Sequence, residues 1–283
     1  MADTYQGYKA RPELLPITRA RVDRSKPQDY VAALNGDSPA PAVEASAAAP
    51  YQGITTDGHV VPGLYPLQDT GLDPAPAGAA ARALLAALPP AQRSRVTVPV
   101  DATAWRLWTN AYPGWEPDGI FLEDLDDTRR AAVMELVRAS LSGKGFTDVQ
   151  ATMRLNAALG QLTGQYRDTL TEWAYWITLF GEPSSAEPWG WHLFGHHVCV
   201  SCFVLGGQLV LTPTFLGAEF ESERVFAEHR GLGLELMRSL SPAQRDQAVL
   251  YPTMRPGDLP WELAGRVDGR HLGGAGQDNR VIP

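Results

Sequence analysis

Between Trp189 and Phe215 the chain reads WGWHLFGHHVCVSCFVLGGQLVLTPTF, a run that holds three of its 6 histidines and both of its 2 cysteines. Imidazoles and thiols bind metal ions and move protons near neutral pH, so this is the densest chemistry in the sequence. The same run is the most strand-like in the chain, being β-branched and aromatic, with Gly206-Gly207 as a two-residue hairpin turn. That turn predicts Leu205 opposite Gln208, Phe203 opposite Val210, Ser201 opposite Thr212 and Cys199 opposite Thr214. An earlier turn at Phe194-Gly195 would set Leu193 opposite His196 and His192 opposite His197.

Side chains alternate across a strand, so the run sorts into two faces. Leu193, His196, Val198, Val200, Cys202, Val204, Leu209 and Leu211 form an apolar face that must look into a core. His192, His197, Cys199, Ser201, Phe203, Val210, Thr212 and Thr214 form the other, which is polar but carries no charge. Solvated sheet faces collect Lys, Glu and Arg, so an uncharged polar face reads as the lining of a pocket. Its bland alternative is a structural face covered by loop, its hydroxyls bonded to backbone. His196 falls on the core side by this register and would be a hydrogen-bonded core histidine.

Opposed strand residues sit about 4.5–5.5 Å apart at Cβ, close enough for His192 and His197 to share one divalent metal. A carboxylate is the usual completion, and Glu219 and Glu221 follow directly in FLGAEFESE. Trp191, Cys199, Ser201, Thr212 and Thr214 would line the pocket, with His197 as metal ligand or general base and His192 or His196 assisting in catalysis. Glu187, His229 and His271 are further candidates that no spacing requires, and His59 reads as surface. Cys199 and Cys202 have C-x-x-C spacing, but on a strand they point to opposite faces, and no second such pair completes a zinc site. Trp173, Trp176, Trp189 and Trp191 crowd the approach as core, with one or two able to pack a substrate ring.

Several functions are disfavoured. There is no G-x-S-x-G elbow, no phosphate-binding G-x-x-x-x-G-K-[ST], no H-E-x-x-H, and no G-x-G-x-x-G after a strand, so no nucleotide cofactor is expected. The 24 basic residues against 32 acidic ones leave a net charge of -8 without a basic stripe, which argues against nucleic acid and anionic membranes as partners. No window approaches the ~18 apolar residues of a membrane span and the N-terminus lacks a signal-peptide core, so a cytoplasmic location is expected.

The elements that must position these residues come from the rest of a 283-residue chain that is 44% hydrophobic and able to bury a sizeable core. Residues 1–80 read as an extended arm and linker, because GDSPAPAVEASAAAP and DTGLDPAPAGAA offer little to bury. Residues 81–283 read as one α+β domain, a central antiparallel meander around 171–216 flanked by helices. ARALLAALPPAQRSRV predicts a helix broken at Pro89-Pro90. DDTRRAAVMELVRASL predicts a second, with Ala132, Val133, Leu136, Val137 and Leu141 on one face and a stop at Gly143 and Gly145. A capping box at Thr147 would open the next helix. RVFAEHRGLGLELMRSL is helical though weakened by Gly231 and Gly233, and Ser241-Pro242-Ala243-Gln244 is another capping box.

FGEPSSAEPWGWHLFGHHVCVSCFVLGGQLVLTPTFLGAEF resembles the central signature of the DUF3500 family, whose function is unknown. The matching pieces are Phe180 to Ser184, Trp189 to Trp191, Gly195 to His197 and Thr212 to Gly217. The resemblance runs from about residue 81 through LWTNAY and LSGKGFTDVQATMRLN to the terminal DNRVIP. It implies Gly195, His196 and His197 as marked residues and does not mark His192. Members generally continue past DNRVIP into a segment with more histidines and acidic residues; if that segment contributes ligands, the resemblance implies a site here that is incomplete, altered, or finished by a second polypeptide or a homo-oligomer. The resemblance brings no reaction with it.

The expected function is an enzyme with a His-centred, metal-dependent pocket for hydrolytic or oxidative chemistry on a small molecule. Its rival is a non-catalytic binding or assembly protein whose N-terminal arm wraps a partner subunit in a homo-oligomer or with a second polypeptide.

Overall fold

The computed structural model describes residues 62–63, 66, 68, 70–108, 117–163, 167, 169–217 and 225–249. Helix α1 spans Ala75–Ala87, α2 Pro90–Val96, α3 Asp127–Ser140 and α4 Gly143–Thr163. After the sheet come α5, Ala227–Ser239, and α6, Pro242–Ala248. The strands are β1 Thr97–Val98, β2 Ile120–Phe121, β3 Tyr175–Phe180, β4 Trp189–Gly195, β5 Val198–Leu205 and β6 Gln208–Leu216. The class is α+β. No described helix is long and apolar enough to cross a membrane.

Local chemistry explains most of these boundaries. α1 ends at Ala87 and α2 restarts at Pro90, because the ring of Pro90 fits the first helical turn but not a helix interior. α1 begins at Ala75, inside the stretch expected to be loose. Pro74 and Pro76 are tolerated at its start, and alanine is the best helix former. Asp126 caps α3 by accepting from Arg129 N at 2.9 Å. α4 starts four residues before the expected Thr147. Ser142 Oγ accepts from Gly145 N, and Thr147 sits inside the helix with its hydroxyl on Gly143 O at 2.9 Å. The Ser241 box is present with both of its reciprocal bonds.

The sheet is antiparallel from β3 to β6 in chain order, while β1 runs parallel to β3 and β2 pairs antiparallel with it. One face packs Leu193, Val198, Val200, Cys202 and Val204 against α1 and α3, through Leu84, Val133, Leu136 and Val137. The other face packs Trp176, Phe194 and Cys199 against Phe121, Leu170 and the α4 residues Leu155 and Leu159. A buried strand residue of this size contributes on the order of 1.5–3 kcal/mol, so both faces hold the sheet in place.

Two glycines of the sheet are required by close approach. A Cβ on Gly190 would lie 2.2 Å from Cys202 O and 2.7 Å from the Trp105 ring, which stacks on Phe180 at 3.6 Å. A Cβ on Gly195 would lie 2.6 Å from Ala174 O and 2.7 Å from the Tyr175 ring. The glycines of WGW and GHH are thus packing requirements of the sheet.

Candidate functional site

The hairpin turn between β4 and β5 is His196-His197, one residue pair later than expected. Gly195 pairs with Val198, Phe194 with Cys199 and Leu193 with Val200. His192 therefore stands opposite Ser201, and the predicted His192–His197 pair is not formed. The second turn residue, His197, takes a left-handed φ of 61°, a region that glycine fills most often and that, among other residues, Asn, Asp and His adopt more than the rest. Bulky residues in that region carry strain of about 1–3 kcal/mol and cluster at functional sites.

The β5–β6 register follows expectation from Leu205–Gln208 to Cys202–Leu211 and then slips at a bulge. Val200 pairs with Thr214 and Cys199 with Phe215, because the Thr212–Pro213 step adds a residue to β6. The slip turns Thr214 away from Cys199, and both Thr212 and Thr214 are exposed. Trp191 lies on the core face, fully buried, with its indole N–H donating to Ser140 Oγ at 3.0 Å. These three residues are therefore not gathered with Cys199 and Ser201.

Two clusters take the place of the single expected one. At the turn, the His196 and His197 rings stack with centroids 4.0 Å apart and planes 17° from parallel. His196 Nδ1 lies 2.9 Å from Asn156 Oδ1 of α4, and Asn156 Nδ2 donates to Thr171 O at 2.8 Å. A backbone carbonyl only accepts, so it orients the amide with its oxygen towards His196. An amide oxygen only accepts too, so Nδ1 carries the proton and the lone pair is on Nε2. Tyr175 fixes the turn from below by donating its phenol to His196 O at 3.0 Å, and Gly217 N donates to His197 O at 2.9 Å. Thr171 also donates to the Glu123 carboxylate, which extends the network to the start of α3 through Arg130 and Glu123 O.

Electrostatics set the charge state of the pair. Burial, reinforced by the neighbouring His197, holds His196 well below the ordinary imidazole range. His196 is therefore neutral near pH 7. Burial, with the Glu172 charge, pushes Tyr175 up, so its phenol stays a donor.

The second cluster lies inside the sheet's other face. His192 Nε2 is 3.3 Å from Cys199 Sγ, and the His192 ring stacks on Phe194 with centroids 4.8 Å apart. Burial drives His192 down to about 3 and pushes the Cys199 thiol up, so both are neutral. Ser201, opposite His192, is fully buried and its hydroxyl has no hydrogen-bond partner among the described residues. Cys202 points to the opposite face and is raised to about 12 by burial. Both thiols are free.

Among the described residues no three His, Cys, Asp or Glu side chains gather in a way that could hold a metal ion. Glu219, Glu221, His59 and His271 lie outside the described residues. His229 is exposed on α5, against the Phe226 ring. A surface groove of about 400 Å³ between α3 and the start of α4 is lined by Arg130, Met134, Arg138, Phe146 and Trp173 among others.

A family model described as a protein of unknown function, DUF3500, matches residues 73–283. The chain belongs to this family. Among curated proteins and among solved structures nothing matches it. For this DUF3500 chain, the geometry of its own residues therefore carries the functional argument. Asn156, Thr171, Tyr175 and Glu123 are the site residues that strand patterning missed. Asn156 alone left a signal, as a polar residue on the stripe of α4 that buries Val149 and Met153.

Proposed function

We propose that the protein is an enzyme that hydrolyses a small molecule, with the His196–His197 turn as its acid–base centre. The observation that carries this reading is the Asn156–His196 bond, which orients the ring and directs the lone pair to Nε2. A neutral, oriented imidazole takes a proton from water as that water attacks an acyl or similar electrophilic centre. The imidazolium so formed keeps its Nδ1 proton on Asn156 and returns the Nε2 proton to the leaving group. The His197 ring 4.0 Å away disfavours the imidazolium of His196, which helps the proton leave for the departing group.

A panel of chromogenic esters, lactones, amides and phosphoesters tests the reading, with His196→Gln, His197→Gln and the distant His229→Gln compared. Hydrolysis of one class that falls by 10²–10⁴ in His196→Gln and persists in His229→Gln supports it. Unchanged hydrolysis in His196→Gln, or none by the wild type in any class, overturns it and puts the assembly reading ahead.

A second reading is favoured by the bond from Gly217 N to His197 O. The chain continues from Gly217 to Glu219 and Glu221, so a divalent ion held by His197 and these carboxylates would supply the activated water. Elemental analysis of untagged wild type and His197→Ala separates the two, since near-stoichiometric metal lost in the variant belongs only to this second reading.

A further inference from the structure

The buried His192–Cys199–Ser201 cluster is separate from the turn, and no step proposed above uses it. We infer that His192 Nε2 and Cys199 Sγ are the two principal ligands of a buried site for a monovalent thiophilic cation, copper(I), with the Ser201 hydroxyl as a weaker third contact.

Three observations converge on this site. The first is spacing: Nε2 and Sγ are 3.3 Å apart. Metal–sulfur and metal–nitrogen bonds of about 2.3 and 2.0 Å place the two ligand atoms about 3.3 to 3.7 Å apart at the angles of about 100–120° of a three-coordinate ion, so the spacing requires the Ser201 hydroxyl to complete the site. Little rearrangement is needed for an ion to replace the S–H proton between them.

The second is the Ser201 hydroxyl. It is fully buried, faces the same side of the sheet as His192 across the β4–β5 ladder, and has no partner among the described residues. Such a hydroxyl costs about 1–3 kcal/mol while it is unpartnered, and a cation beside it would take its lone pair. The bulge of β6 falls opposite this residue, between the Val200 and Cys202 pairings, where the ladder is interrupted.

The third is charge. Taking up a monovalent ion with one thiolate and one neutral imidazole leaves the core neutral, whereas a divalent ion would leave a buried positive charge there. Thiolate with imidazole at low coordination number is also the donor set that suits copper(I). Binding exchanges one cation for the thiol proton: Cu⁺ joins Sγ, the S–H bond breaks, and the proton leaves to solvent, with no change in oxidation state. Cys202 cannot substitute, because it lies on the other face of β5.

The test is an anaerobic titration of the full chain with copper(I) in competition with bicinchoninate, reading copper retained per chain and protons released. Wild type and Cys202→Ala are expected to hold one equivalent and release one proton, and Cys199→Ala and His192→Phe to hold none. X-ray absorption at the copper edge of the wild type, which needs no variant to fold, is expected to show one sulfur and one imidazole neighbour. Retention by Cys199→Ala, no retention by the wild type, or a two-sulfur environment overturns the site. The readout is copper and not turnover, so failure here leaves the His196 reading where it stood.

Discussion

Asn156 and His196 lie 40 residues apart and meet through a 2.9 Å hydrogen bond that joins helix α4 to the β4–β5 turn. Asn156 is 3% exposed, and its amide is held from the other side by Thr171 O. Asn156→Leu is expected to leave His196 Nδ1 and Thr171 O unpaired and to cost about 1–3 kcal/mol in thermal or denaturant unfolding. The sharper readout is the imidazole tautomer. Long-range ¹H–¹⁵N spectra are expected to show the Nδ1–H form of His196 in the wild type and a tautomer mixture in Asn156→Leu. An unchanged tautomer would show that Asn156 does not orient the ring.

His197 occupies the left-handed region, with φ at 61°, which few non-glycine residues adopt and which β-branched side chains tolerate least. His197→Asn, which tolerates this region, is expected to match or exceed wild-type stability. His197→Val is expected to lose about 1–2 kcal/mol through the clash of its Cβ branch. If hydrolysis disappears in the Asn variant while its stability is kept, the strain is retained for function. Equal stability of the Val and Asn variants would show the turn to be unstrained.

The buried imidazoles make stability fall in acid. His192, driven to about 3 by burial from an ordinary 6.5, stays neutral in the fold while the unfolded chain takes up a proton. Its contribution is complete above pH 7 and is lost as pH falls through the window below 6.5, amounting to about 2 kcal/mol by pH 5. His196 adds to the loss in the same direction. Unfolding measured from pH 7.5 to 5 is expected to show this slope, and His192→Phe, which keeps a ring against Phe194, is expected to reduce it by one proton. A slope unchanged in that variant would show that His192 is not the group responsible.

Gly190→Ala tests the close packing of β4 and β5. Its Cβ would meet Cys202 O at 2.2 Å and Trp105 at 2.7 Å, and the carbonyl belongs to a central strand that cannot retreat. Loss of more than about 3 kcal/mol, or failure to fold, is expected in urea unfolding. Gly206→Ala, with no atom within 4 Å, loses only the cost of its φ of +56° and is the milder comparison.

What the sequence determined by itself were the elements whose energetics are local. Pro89-Pro90 separates α1 from α2, Ser241 and Gln244 close their box, and Gly206-Gly207 makes the β5–β6 turn wherever the rest of the chain goes. Alternation along β5 correctly assigned Val198, Val200, Cys202 and Val204 to one core and Cys199 to the other face. The β4–β5 turn was not legible, because His196-His197 carries none of the Gly, Asn or Asp that mark a turn. Its position follows from where Tyr175, Gly195 and Val198 pack. The bulge at Thr212–Pro213 shifted the register of Thr214 for a similar reason: proline removes a ladder donor, but which strand absorbs the extra residue is settled by the packing on both faces. Only the tertiary structure brought Asn156 to His196 and separated His192 from His197, since a contact across 40 residues is specified by how a helix lies on a sheet and by no pattern within either.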